Sequence, residues 1–267
     1  MRDTPDLDVN FGDRERWTAG ARRIVPGQYL AFYSRHIEIV KLLLAHPAIN
    51  VNQQDTGGTT AFLIVCSTGA MPVVRLLLED PRVGVTLADS DGHTPLWRAA
   101  RNGHHRVIEW LIASGRDLGD LEKKGKDEYG NNQESTALEI ASEHENSVEV
   151  SLLEGFMTDP VGTRRKLQVK LGVLDELAAK VFAFTIFLCD DLLQLKPAFT
   201  TMTPASAAAD AVRFFAIISK LPMELQMVLS RRAIGSMKQN ILRKDSEAAF
   251  KSLARCLGIS YQHQPFA

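Results

Sequence analysis

The stretch Asp89-Ser90-Asp91-Gly92-His93-Thr94-Pro95-Leu96-Trp97-Arg98-Ala99-Ala100-Arg101-Asn102-Gly103-His104, continued by Val107-Ile108-Glu109-Trp110-Leu111-Ile112, recurs in altered form elsewhere in the chain. A step of 34 residues back places Gly58, Thr60, Ala61, Phe62, Val65, Cys66, Gly69, Val73, Val74 and Leu77 under Gly92, Thr94, Pro95, Leu96, Ala99, Ala100, Gly103, Val107, Ile108 and Leu111. Ten coincidences in one register are not chance. A second step of 34 brings His36, Ile39, Val40, Leu43 and Pro47 under Ala70, Val73, Val74, Leu77 and Pro81, which predicts a helix over about residues 36–45. Forward, Thr136-Ala137-Leu138-Glu139-Ile140-Ala141 repeats the opening, with Val150, Leu152 and Leu153 behind it. Self-similarity at a fixed period of this size is the mark of a solenoid, in which each unit is half a core and stacking completes it.

The quoted stretch resembles the ankyrin pattern Gly-x-Thr-Pro-Leu-His-x-Ala-Ala, then Gly-His, then a helix of the Val-Val-x-Leu-Leu-Leu type, with Trp97 in the usual His place. The resemblance covers roughly residues 10–160. It implies that Thr-Pro opens an inner helix, where threonine accepts backbone N–H bonds and proline at the first turn sacrifices no donor. The small pairs Ala99-Ala100 and Val65-Cys66 allow inner helices to approach closely. Gly103 and Gly69 end those helices, where a positive backbone angle is often needed. Val107, Ile108, Leu111 and Ile112, at i, i+1, i+4 and i+5, form a broad apolar stripe on the outer helix.

Two intervals depart from 34. Thr94 to Thr136 is 42, and the polar run from Lys123 to Asn132 assigns the excess to a lengthened hairpin loop, which costs little. Thr18 to Thr60 is also 42, but there the excess falls between Trp17-Thr18-Ala19 and His36, where an inner helix belongs. Residues 20–34 carry no Leu-x-x-Ala-Ala and have Pro26-Gly27 at their centre, so the first repeat is expected to be malformed, weakly protected from hydrogen exchange and part of a degenerate segment over residues 1–35.

Composition narrows the function classes. Of 267 residues, 45% are apolar and 24% charged, ample for a packed core, and 31 Lys+Arg balance 32 Asp+Glu. No net positive field exists to draw in phosphate backbones or anionic lipid, so neither nucleic acid nor a membrane is an expected partner. Cys66, Cys189 and Cys256 are odd in number and widely spaced, which fits a reducing compartment and neither a disulfide framework nor paired zinc spacing. The N-terminus has early acids and no apolar h-region, and the apolar run from Val181 to Cys189 falls far short of the roughly 20 residues of a spanning helix. A cytoplasmic or nuclear protein is expected.

Motifs that carry chemistry are few. Asp55-Thr56-Gly57 matches an aspartic-protease triplet, but it has no second copy and its register is that of a hairpin turn. His104 and His105 are neighbours that diverge by about 100 degrees on a helix, with no further ligand at metal spacing. Glu143-His144-Glu145 reads as a solvated face. Phosphate-binding, nucleophile-elbow and zinc-protease motifs are absent from the sequence. The expectation is therefore no catalytic residue, no metal and no cofactor; an enzyme would need a convergent polar pocket that the sequence does not indicate.

What the resemblance implies instead is protein binding through hairpin tips and the exposed positions of inner helices. On this sequence those are Thr56, Gly57, Thr59, Ser90, Asp91 and His93 at the tips, and Ser67, Thr68, Arg101 and Asn102 on the helices. Trp97 has two readings, an aromatic anchor for a partner or packing between inner helices. On the first, replacing Arg101 and Trp97 together by alanine abolishes capture without unfolding the array.

Beyond Arg164 the register disappears. Residues 168–195 form strong helix patterns with Leu171, Leu174, Leu177, Ala178, Val181, Phe184, Ile186 and Leu188 on an apolar face, and residues 196–206, with Pro197 and Pro204, read as a linker. Helical segments are expected again over 207–219, 221–229 and 245–257. Leu221-Pro222-Met223-Glu224-Leu225-Gln226-Met227-Val228-Leu229 resembles the opening of an F-box, with Phe250, Leu253 and Ala254 echoing its later helix. That resemblance implies docking on a Skp-type adaptor of cullin-RING ubiquitin ligases through Leu221, Pro222, Glu224, Leu225, Val228 and Leu229. Pro222 and Glu224 also read as ordinary helix starters. The expected architecture is all-α: an ankyrin solenoid of about four repeats, the first malformed, over residues 36–160, an amphipathic helical region over 161–195, the linker, and a C-terminal helical segment over 207–267.

Overall fold

Three threonines in register set the inner layer. Thr60, Thr94 and Thr136 are the N-caps of helices α2 (Ala61–Thr68), α4 (Pro95–Arg101) and α6 (Ala137–Glu143), each accepting a backbone N–H three residues on, from Leu63, Trp97 and Glu139. Thr136 goes further: the Glu139 carboxylate accepts from the Thr136 N–H at 2.7 Å, closing a capping box. The computed structural model describes residues 36–127, 133–189, 213–236, 241 and 243–256, with the backbone of two short strands nearer the N-terminus. These strands, β1 (Gly12–Asp13) and β2 (Val25–Pro26), pair antiparallel. The remainder of residues 20–34, expected to be malformed, and the linker over 196–206 lie outside the described residues.

Two compact units divide the chain at Leu167/Gln168. In the first, each inner helix is followed by an outer one: α3 (Met71–Glu79) after α2, α5 (His105–Ala113) after α4, and α7 (Ser147–Thr158) after α6. The outer helix of the first repeat is α1 (Ile37–Ala45). Packing runs in two parallel rows, α2 on α4 on α6, and α1 on α3 on α5 on α7. The small pairs meet their expectation: Val65, Cys66, Ala99, Ala100 and Ala141 are fully buried in the inner row. Val107, Ile108, Leu111 and Ile112 are buried together in the outer row. Burial also pushes the Cys66 thiol well up, which leaves it an unreactive core residue.

Helix ends repeat as well. Gly69 closes α2 at φ 64°, and a side chain there would collide with the His104 ring at 2.8 Å, so conformation and space both demand glycine. Gly103 follows α4 at φ 71°. At the equivalent place after α6 stands Glu145 at φ 57°, the single non-glycine residue with a positive φ among the described residues. The interval of 42 is spent as the sequence predicts, on a hairpin: β3 (Gly125–Lys126) pairs antiparallel with β4 (Glu134–Ser135) ahead of α6.

The stretch expected as one amphipathic region is two helices, α8 (Pro160–Leu171) and α9 (Val173–Cys189), broken at Gly172, φ 74°. In the second unit α9 packs against α10 (Met223–Ile234) and α11 (Arg243–Cys256). Its core is Ala179, Phe182, Ala183, Phe187, Ala249, Phe250 and Ala254. Phe250 stands 6.2 Å from Phe182 and 5.9 Å from Phe187, ring centre to ring centre. The buried face of α9 agrees with the expected one at Leu174 and Ala178 and departs from it at Leu177 and Phe184. Leu177 and Phe184 are 39% and 42% exposed, because the small residues Ala179 and Ala183, next to Phe182, are what let neighbouring helices come close.

Candidate functional site

Each hairpin tip is shaped by one aspartate. Asp55 Oδ1 accepts from the backbone N–H groups of Gly57 and Thr59, both at 2.8 Å, and Asp89 Oδ1 accepts from Asp91 and His93 at 3.1 and 2.9 Å. The Asp-Thr-Gly triplet is therefore a turn whose carboxylate serves the backbone. The tips are then joined to one another. Ser90 donates to the Gly57 carbonyl from both its N–H and its hydroxyl at 2.9 Å, and Lys126 N–H donates to the Asp91 carbonyl at 3.0 Å.

Inner helices are joined in the same manner. Asn102 Nδ2 donates to the Ser67 carbonyl and hydroxyl at 3.0 and 2.9 Å, and Asn146 Nδ2 to the carbonyls of Ala100 and Arg101 at 2.9 and 3.1 Å. His104 Nε2 lies 2.9 Å from the Ser67 carbonyl, whereas His105 is 3.8 Å from Glu149, so the two histidines serve different neighbours. A second seam, absent from the sequence reading, runs along the outer loops. Arg82 reaches the Leu44 carbonyl at 2.7 Å, and Arg116, 34 residues on, reaches those of Asp80 and Pro81 at 3.2 Å. Identical arginines at the repeat spacing were the available signal. Arg82 also donates to the Asp80 carboxylate from both Nε and Nη2, which holds that carboxyl below its usual range.

The residues expected to meet a partner separate by burial. Thr56, Ser90 and Asn102 are exposed, and Gly57, Ser67, Thr68, Asp91 and Arg101 are half-buried. Thr59, His93 and Trp97 are buried, at 5%, 1% and 1% exposure, which corrects the expectation that Thr59 and His93 face outward and, of the two readings of Trp97, favours packing. Trp97 is a packing residue: its indole N–H donates to the Ser135 carbonyl of β4 at 2.9 Å. Removing it would damage the fold, so the double alanine variant does not isolate binding. Arg101 is committed too, to Asp127 at 3.0 Å.

Around Trp97 the third repeat gathers charge. Asp89 Oδ2 takes a bond from Arg98 at 3.0 Å and faces His93 Nδ1 at 3.0 Å. Burial works to raise the Asp89 carboxyl, but the bonds from His93 and Arg98 overcome it and hold the group at about 2. His93 Nε2 meets the Lys126 carbonyl, and its ring lies 4.2 Å from that of Trp97. Asp89, Asp91 and His93 thus bring three ligand-type atoms within 4.8 Å, a grouping that the sequence reading did not single out. Glu143, His144 and Glu145 are exposed.

In the second unit Pro222 caps α10, with Pro222, Met223, Glu224 and Leu225 exposed and Leu221, Val228 and Leu229 half-buried. Phe250 and Ala254 are core residues there, with Leu253 packed against that core. Among the described residues no helix is long and apolar enough to cross a membrane.

A family model for ankyrin repeats, in three copies, matches residues 29–122. No curated protein matches the chain significantly. The helix pair α6–α7 continues the stack past the matched span with the same threonine cap.

Proposed function

We propose, for a chain that carries ankyrin repeats over residues 29–122, that it binds a protein partner along the hairpin tips and inner helices, at Thr56, Gly57, Ser67, Thr68, Ser90, Asp91 and Asn102. Ankyrin repeats point to an interaction module in general; the surface is the finer part of the reading. The observation that carries it is the row of small polar side chains left at the surface once Thr59, His93 and Trp97 are buried. Such a row, fixed on hydrogen-bonded tips, offers a partner a preformed surface with little ordering cost. Thr56 and Thr68 are the positions to disturb. In affinity capture from the native cell, Thr56→Arg with Thr68→Arg should lower recovery of the wild-type partner at least about tenfold, a loss of about 1.4 kcal/mol, with the melting temperature unchanged. Equal recovery by the folded variant would move the binding surface elsewhere.

A second reading belongs to the other unit. Met223 and Leu225 are 47% and 49% exposed beside Pro222 and Glu224 at the head of α10, an apolar pair that an F-box-type contact with a Skp-type adaptor would cover. On this reading the full chain is a substrate receptor. It binds purified adaptor, and Leu225→Asp abolishes that binding; absence of binding by the wild-type chain removes the reading and leaves the first intact.

A further inference from the structure

The third repeat contains a histidine whose surroundings determine its charge by geometry alone. His93 is 1% exposed, so water does not complete its hydrogen bonds. Its Nδ1 faces an Asp89 carboxylate oxygen at 3.0 Å, and its Nε2 faces the backbone carbonyl of Lys126. A carboxylate and a carbonyl can only accept, and a neutral imidazole has one donor and one acceptor. Either neutral tautomer would set a ring lone pair against an oxygen lone pair in a buried site. Only the doubly protonated ring satisfies both contacts.

We infer that His93 is a buried imidazolium that latches the β3–β4 hairpin to the third repeat, so that docking of this hairpin is coupled to one proton.

The surroundings suit a cation. The charged groups grouped with the ring are Asp89 and Asp91 from the tip, with Arg98 of α4 bonded to Asp89; on the side of β3 the ring meets the neutral Lys126 carbonyl, and the adjoining Asp127 is paired with Arg101. Arg98 and the imidazolium balance the two tip carboxylates. The Trp97 face, 4.2 Å away, adds the attraction of an aromatic quadrupole for a cation. Gly125 permits the approach, since a side chain there would meet the His93 ring at 2.7 Å. The coupling has one sign. The bonded form carries the proton, so a ring without it lacks a donor for one of the two oxygens and loosens β3. The same geometry denies a metal ion the Asp89, Asp91 and His93 trio, because neither ring nitrogen keeps a lone pair to give.

The test is ring ¹⁵N spectroscopy on the full chain at neutral pH, where one of seven histidines should show both nitrogens protonated. His93→Gln should delete that signal and speed exchange of the Lys126 amide and the Trp97 indole proton at least about tenfold, leaving the amides of α2 unchanged. If this variant does not fold, the wild-type signal is assigned through its contacts to the Trp97 indole protons. A His93 spectrum with one unprotonated nitrogen would overturn the inference. So would a shift of the ring signals on adding Zn²⁺, which would make the trio a metal site.

Discussion

The second and third repeats, 34 residues apart, share a frame and differ on one face. Asp55 and Asp89 make the same turn, Thr60 and Thr94 the same cap, and Arg82 and Arg116 the same reach to a preceding carbonyl. Where the second has Thr59, Leu63, Ile64 and Ser67, the third has His93, Trp97, Arg98 and Arg101. Those four replacements converge: His93 on the Lys126 carbonyl, Trp97 on that of Ser135, Arg101 on Asp127, and Arg98 on the Asp89 that holds His93. All four serve the lengthened hairpin that follows the third repeat. Differences between copies of a solenoid are therefore readable as responses to what the next copy requires, because each repeat contacts only its neighbours.

The largest expected break in this comparison is Trp97→Ala. It removes a fully buried side chain together with the bond to β4 and should cost about 3–5 kcal/mol, measured by urea denaturation of the array. A cost close to zero would mean that Trp97 is exposed in solution.

Asp89→Asn comes next. Asparagine can still accept the turn's N–H groups, but it no longer pairs with Arg98 and His93, so a loss of about 1.5–3 kcal/mol is expected. Asp55→Asn, at a more exposed turn, should cost less than about 1 kcal/mol. The sign with pH follows from the lowered carboxyl. The Asp89 contribution is complete above the ordinary carboxylate range and is lost as pH falls toward about 2. An acid limb in the stability profile that is missing from Asp89→Asn checks it; identical profiles would remove the charge pairing from the account.

Where the two repeats agree, their variants should agree. Thr60→Ala and Thr94→Ala each lose one cap bond and should each cost about 1 kcal/mol, within error of one another. The smallest effect sharpens the frame by repair. Glu145 occupies the left-handed conformation that Gly69 and Gly103 occupy in the preceding repeats, so Glu145→Gly should raise stability by about 0.5–1 kcal/mol. Destabilisation would show that the Glu145 side chain has a structural task.

The frame was legible in the sequence because it is made of residues that answer a backbone need: threonine at a cap, glycine at a positive φ, alanine at a close approach. The inner and outer rows, the 42-residue interval and its hairpin all followed from those positions. The candidate surface was legible only as a register. Register says which positions stand at a tip, but burial depends on what the next unit brings over them, and the β3–β4 hairpin buries His93 and Trp97. In the second unit no repeat fixed the register. There the helical period placed Leu174 and Ala178 inward correctly but took Leu177 and Phe184 with them, whereas the buried Ala179 and Ala183 weigh less in a hydrophobic pattern and pack more closely.

The most direct test of stacked layers is a nuclear Overhauser experiment on the full chain. It looks for cross-peaks from the Asn102 side-chain amide to Ser67 and from the Asn146 side-chain amide to Ala100 and Arg101, the bonds that join three successive inner helices. Both sets should be present. Intact helices with neither set would mean that the inner helices do not lie in consecutive layers.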